Sequence, residues 1–175
     1  MVPVEARGSL PFSLVHHESL VAAASSALAA AGAELVGYDT ALADVRRSGR
    51  SLVLHDPLCP LTPAAFLAEA AAESATTRAV VAGVRPVTDT IKEYDGSHLG
   101  RTLDRGTLVQ IVSPIVLPVA VVAALGALVT DDFAELVDRL RTAWPLRLVP
   151  APALARRVDS AADLAILEAL SATAC

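Results

Sequence analysis

Short aliphatic runs alternate with alanine-rich segments along most of this chain, and that alternation limits what it can fold into. Leu20 to Ala31 holds strong helix formers and stops at Gly32. Glu34 to Tyr38 reads as a short strand, and Ser51 to Leu54 as an apolar strand running into His55-Asp56-Pro57. Thr62-Pro63 opens a helix to Glu73, with Thr62 as the expected N-cap and Pro63 at the first helical position. Arg78 to Val84 is the next strand. Strands and helices in turn, joined by short connections, predict a parallel sheet with helices on its faces, an α/β architecture. One polar stretch, Val87 to Gly106, breaks the pattern with Asp-Gly and Gly-Arg turn signals and reads as a hairpin or extended arm. Val109 to Val112 and Leu146 to Val149 return as strands. Pro118 to Leu128, Phe133 to Thr142 and Ser160 to Leu170 are helical, the second capped by Thr130-Asp131-Asp132 and the third by Ser160.

The 175 residues suit one domain, 1–175. At 54% hydrophobic and 3% aromatic, the core has to be built from Val, Leu, Ile and Ala, and disorder is excluded. Net charge is −5, which argues against a nucleic-acid surface; Arg46, Arg47 and Arg50 form the densest basic cluster and read as a solvated turn. A mean hydropathy of +0.53 calls for a check on membrane spans. The most apolar run, Ile111 to Leu128, carries Pro114 and Pro118 and no basic flank, so a buried strand and helix are expected there and no membrane contact. The start of the chain has Glu5 and no Lys/Arg-led apolar core, so no secretory signal is expected. Cys59 and Cys175 are distant thiols without metal-ligand spacing, which fits a reducing cytoplasm. Lys92 is the single lysine, so chemistry that elsewhere uses lysine has to rely on arginine here.

Five blocks, in order, carry a resemblance. Leu52-Val53-Leu54-His55-Asp56-Pro57-Leu58-Cys59-Pro60-Leu61-Thr62-Pro63 resembles a strand followed by VHDAARPLTP. Val84 to Lys92 resembles PVxDTIK, and Thr102-Leu103-Asp104-Arg105 with Gln110 to Pro114 resembles TxDRxxLxxxQTPQ. Thr130 to Ala134 resembles TDDAS, and Arg157 to Leu164 resembles KITTPxDL. Together they are similar to the 2-C-methyl-D-erythritol 4-phosphate cytidylyltransferase family of isoprenoid biosynthesis. That resemblance implies a three-layer nucleotidyltransferase fold, Rossmann-like, with a projecting β-arm at about 86–110. The arm pairs with the same arm of a second subunit to give a homodimer, which covers its open edge.

The resemblance also implies chemistry: an oxygen of methylerythritol phosphate attacks the α-phosphate of CTP, with Mg²⁺, and pyrophosphate leaves. Positioning and cationic stabilisation carry such reactions. It places Arg105, Thr90 and Ser113 on the phosphate of the alcohol and Asp56 on its hydroxyls, and puts Arg157 where the family has a catalytic lysine. On the nucleotide side, Pro11 falls on a family proline and Phe12 on a family lysine, leaving Arg7 and Gly8 as the remnant of a glycine-rich CTP loop. The family's GGxxRxxS segment is missing, and Cys59 replaces the arginine of HDAARP. These departures imply nucleotidyl transfer that is weak or lost. The alternative is a non-catalytic binding or regulatory relative that dimerises with itself or with an active paralogue.

Structural readings stand beside the functional ones. Asp56 also suits a turn or helix cap, Arg105 an ion pair with Asp104 or another arm carboxylate, Thr90 and Ser113 strand ends, and Arg157 a solvated surface. His55 reads as a buried, hydrogen-bonded histidine, and His16-His17-Glu18 as a polar turn in preference to a metal site.

Overall fold

The computed structural model describes residues 1, 8–37, 40, 42–126, 130 and 132–172. Its first elements are a small antiparallel pair, β1 (Leu14–Val15) and β2 (Glu18–Ser19), and helix α1 (Leu20–Ala30). His16 and His17 form the two-residue loop of that pair, both with positive φ (48° and 69°), as a tight hairpin demands. The polar-turn reading of these histidines holds. Ser19 caps α1 by accepting the Ala22 N–H, and Gly32 ends the helix region at φ 81°.

After α2 (Leu42–Arg47) come β3 (Leu52–Leu54), α3 (Ala64–Thr77) and β4 (Val80–Pro86). Next are the hairpin β5 (Lys92–Tyr94) and β6 (Leu99–Thr102), then β7 (Val109–Leu117), α4 (Val119–Ala124), α5 (Phe133–Leu140), β8 (Leu146–Pro150) and α6 (Ala161–Ala172). The central sheet has the order β3-β7-β4-β8. β4 and β8 pair in parallel, whereas β7 runs antiparallel to both its neighbours. The expected parallel sheet is therefore a mixed one. The cause is the arm: a hairpin inserted between two strands that lie side by side returns the chain in the opposite direction.

Side chains alternate across this sheet with period two, and both faces are covered. Leu52, Leu54, Val80, Ala82, Ile115 and Leu117 face one layer, where Phe133, Leu136, Val137 and Leu140 of α5 pack with Val121 and Val122 of α4. The intervening Val81 and Val116 face the other way, against Ala70 of α3, with Val53 and Val149 alongside. A third cluster joins Val15, Leu20 and Ala23 to Leu58, Val158 and Leu167, tying α1 and α6 to the turn after β3.

Local expectations fail in three places. Glu34 to Gly37 form no strand, and Tyr38 lies outside the described residues; among the described residues the short run finds no ladder partner. Thr62 is not the cap of α3: Pro63 takes that position, while the Thr62 hydroxyl donates to the Cys59 carbonyl at 2.8 Å. Arg78 does not open β4; it ends α3 in the left-handed conformation, φ 57°. Leu128 and Asp131 lie outside the described residues, while Asp132 caps α5 through the N–H groups of Ala134 and Glu135. No helix among the described residues is long and apolar enough to cross a membrane.

Candidate functional site

β3 ends at the carboxyl edge of the sheet, where open α/β sheets present their ligand crevice. Two successive turns follow. The Cys59 N–H donates to the Asp56 carbonyl at 2.9 Å, and the Thr62 N–H to the Cys59 carbonyl at 3.2 Å. Asp56 Oδ1 accepts the Leu58 N–H at 3.0 Å, a side-chain turn of the type aspartate favours, so the capping role read from the sequence is real. The same carboxylate has a second occupation. Its Oδ2 accepts Arg157 Nη1 at 2.8 Å, and Arg157 Nε donates to Asp159 Oδ1 at 2.7 Å. The Asp56 side chain is 2% exposed and that of Arg157 is 28% exposed, so the pair leads from the interior to the surface.

Ser113 completes the group from β7: its Oγ accepts the Asp56 N–H at 2.6 Å. Gly83 makes room for this. A Cβ there would lie 2.4 Å from the Ser113 carbonyl oxygen, and the β4–β7 register shifts between Ala82 and Gly83. The segment bearing Arg157 is pinned from both sides. Arg85 Nη1 donates to the Pro152 carbonyl at 2.7 Å, the Val158 N–H to the Leu58 carbonyl at 2.7 Å, and Arg156 Nη2 to Asp163 Oδ1 at 2.8 Å. Ser160 caps α6 through the Asp163 N–H.

The electrostatics follow from burial and neighbours. Desolvation pulls the Arg157 pKa down, but the hydrogen bond to Asp159 and the charges of Asp56 and Asp159 outweigh it and hold the guanidinium above the ordinary arginine value. Burial, helped by the Asp56 charge, pushes the Cys59 thiol up to about 12, so it is protonated and no nucleophile at neutral pH. His55 is buried, but neither ring nitrogen has a hydrogen-bond partner among the described residues. This corrects the hydrogen-bonded reading. Burial, with a smaller contribution from the Met1 amino group, lowers its pKa to about 3. Its backbone N–H is satisfied by the Met1 carbonyl at 3.0 Å.

Asp56, Ser113 and Arg157 are thus brought together, from segments remote in sequence. Thr90 and Arg105 form a separate group. They line a hollow of about 360 Å³ at the base of the arm, with Asp89, Thr102, Leu103 and Asp104. Arg105 Nη1 donates to the Thr88 carbonyl at 2.6 Å, and among the described residues Arg105 makes no ion pair with an arm carboxylate. Asp56, Ser113 and Arg157 are not among the residues lining this hollow. Arg7 lies outside the described residues; Gly8 sits in an exposed turn at φ 59°, ahead of the short 3₁₀ segment Leu10–Phe12, and Phe12 is 62% exposed. Sequence reasoning missed Asp159. Its signal was spacing, since residues two apart in extended chain share a face.

The family profile described as IspD, 2-C-methyl-D-erythritol 4-phosphate cytidylyltransferase, matches residues 17–172. The chain belongs to that family. It is 35% identical over 173 residues to a bifunctional IspD/IspF enzyme of Clavibacter michiganensis, covering 91% of this chain and 41% of that protein. It is 33% identical over 173 residues to a 2-C-methyl-D-erythritol 4-phosphate cytidylyltransferase of Frankia casuarinae, covering 87% of this chain and 64% of that one. This IspD-family chain therefore spans less than two thirds of the length of either relative. The crystal structure of the Thermus thermophilus cytidylyltransferase shares its fold, with a TM-score of 0.66 at 24% identity over 93% of both chains.

Proposed function

We propose that this IspD-family chain binds the phosphorylated polyol that the family's name specifies, methylerythritol phosphate, and that its transfer of cytidylyl from CTP is weak or lost. The observation that carries this reading is the constellation of Asp56, Arg157 and Ser113 at the carboxyl end of β3. A buried carboxylate and a partly exposed guanidinium suit the hydroxyl groups of a polyol. The nucleotide side lacks corresponding equipment: Phe12 takes the place of a loop lysine, and Gly8 is the remaining loop glycine. Each major element removed from a phosphoryl-transfer site lowers the rate by on the order of 10³-fold.

Thr90 and Arg105 supply a hydroxyl and a fork of donors suited to phosphate, yet they stand apart from Asp56. We read the chain as one domain, 1–175, whose arm at about 86–110 pairs with that of a second copy and carries these groups toward the partner's polyol pocket. Tyr94 and Leu99, 67% and 72% exposed on the arm, give such a contact its apolar surface. Mg²⁺ would arrive with CTP and neutralise charge on its phosphates. Phosphorylated reactants that do not cross membranes suit a cytoplasmic setting.

Calorimetry with methylerythritol phosphate and with CTP–Mg²⁺, alongside a pyrophosphate-release assay, tests this reading. Binding of methylerythritol phosphate that disappears in Asp56→Asn is expected, with pyrophosphate release near background. Brisk pyrophosphate release overturns the weak-transfer reading, and no binding overturns the site. Light scattering at micromolar concentration is expected to give twice the chain mass; a monomer overturns the arm-paired dimer.

A further inference from the structure

Ser171 stands in the last turn of α6, three residues past Glu168, so the two side chains share one helix face. That face meets the loop between β1 and β2. Ser171 Oγ lies 2.6 Å from His16 Nε2 across 155 residues of sequence, and the His16 N–H donates to Glu168 Oε1 at 3.2 Å. The loop holds His16 and His17 at φ 48° and 69°, a region that favours glycine, and Asn-Gly is the low-cost choice for a two-residue turn. Backbone strain of this kind is kept where it aims a group. Here it aims the His16 ring at a hydroxyl.

Both side chains line a groove of about 590 Å³, room for a small ligand. Its walls are mostly apolar, with Ala23 and Ala27 of α1 and Leu61 and Leu154 among them. Glu18 lines it and, among the described residues, no lysine or arginine does. The groove therefore disfavours phosphate and carboxylate and suits an uncharged, apolar group. Asp56, Ser113 and Arg157 are not among its lining residues, so it is separate from the polyol-phosphate site and independent of it.

We propose that Ser171 and His16 form a nucleophile–base pair that hydrolyses small uncharged carboxylic esters, the apolar acyl chain lying in the groove. Ser171 Oγ attacks the ester carbonyl carbon, and its proton passes to Nε2 of His16 in the Nδ1–H tautomer. The C–O bond to the alcohol then breaks, His16 returns the proton to the leaving oxygen, and the acyl group stays on Ser171. Water, giving its proton to His16, attacks the acyl-serine; the carboxylic acid leaves and Ser171 recovers its hydrogen. The resting hydroxyl has a second acceptor, the Glu168 carbonyl at 2.9 Å, and rotation about Cβ–Oγ turns it to Nε2. His16 is exposed, so water meets the developing oxyanion and the gain is that of the base, about 10²–10⁴-fold.

The test uses the full chain with two probes, a fluorophosphonate that labels activated serines and the ester p-nitrophenyl butyrate. Covalent label mapped to the peptide containing Ser171 is expected, together with ester hydrolysis above the buffer rate. Ser171→Ala should abolish that label and return hydrolysis to background. His16→Gln should slow labelling of Ser171 by about 10²-fold, the lower end of what a positioned base supplies. Imidazole added to His16→Ala should restore part of the lost rate, a rescue that a purely structural tie between loop and helix would not show. Absence of label on Ser171 in the unaltered protein overturns the proposal, and that result depends on no variant folding. Labelling of Ser171 that is as fast without the His16 ring overturns it as well.

Discussion

Arg157 donates through Nη1 to the carboxylate of Asp56 at 2.8 Å, across 101 residues of sequence. Removing the cation takes one charged partner from a 2% exposed carboxylate, and breaking a fully buried pair costs about 3–5 kcal/mol. Arg157 is partly solvated, so Arg157→Ala is expected to lower unfolding stability by about 2 kcal/mol, read in urea titration. Asp56→Asn/Arg157→Ala should lose less than the sum of the single changes, because the two side chains are bonded to each other. Additive losses would show that the two side chains are not coupled.

Gly83 faces a backbone atom, and a backbone atom has little freedom to retreat. With the Ser113 carbonyl oxygen 2.4 Å from the site of a Cβ, Gly83→Ala forces β4 and β7 apart. A loss of about 1–3 kcal/mol is expected from overpacking. The change should also weaken methylerythritol phosphate binding, since Ser113 Oγ holds the Asp56 N–H. Full stability in Gly83→Ala would refute the close approach.

His55 makes the fold sensitive to acid. Its pKa falls from an ordinary 6.5 to about 3 in the folded chain, so the unfolded chain binds a proton first. The stabilising contribution is whole above pH 6.5 and drains away as the pH drops toward 3, by up to about 1.4 kcal/mol per pH unit. His55→Leu removes this proton from the balance. Between those limits its stability should fall less steeply with acid than that of the unaltered protein. Parallel curves would mean that His55 does not titrate with unfolding.

Cys59 shows the opposite sign. Its thiol rises from an ordinary 9.0 to about 12, so stability holds below pH 9 and erodes as alkali carries the pH toward 12. At pH 8, alkylation mapped to the Cys59 peptide should be slow in buffer and fast in urea. Rapid alkylation of folded protein would contradict its burial.

Much of this is legible in the sequence. The helices at Leu20–Ala30 and Phe133–Leu140 follow from formers, caps and spacing that act within a few residues. Asp56 and Arg157 stood out as members of recognisable blocks. Their mutual contact did not, because nothing local links side chains so far apart in the chain. The direction of β7 was hidden for a related reason: apolar patterning reports which residues are buried and is silent about which way a strand runs. Glu34 to Gly37 have the composition of a strand but find no neighbour to pair with among the described residues. Asp159 was visible as a residue, yet its role depends on how Arg157 folds back on it.

The hydrogen bond from the Val158 N–H to the Leu58 carbonyl, 2.7 Å, belongs to the order in which the molecule assembles. β4 and β7 meet across a short arm, Pro86 opposite Val109, whereas the Asp56–Arg157 contact closes a loop of 101 residues. Closing the longer loop forfeits roughly 1 kcal/mol more chain entropy. The Asp56–Arg157 cluster is therefore expected to form late and to be among the first parts to open when the chain is disturbed. Hydrogen exchange at Val158 should outpace exchange at the β4–β7 ladder, making that amide a direct reporter of whether the cluster is assembled.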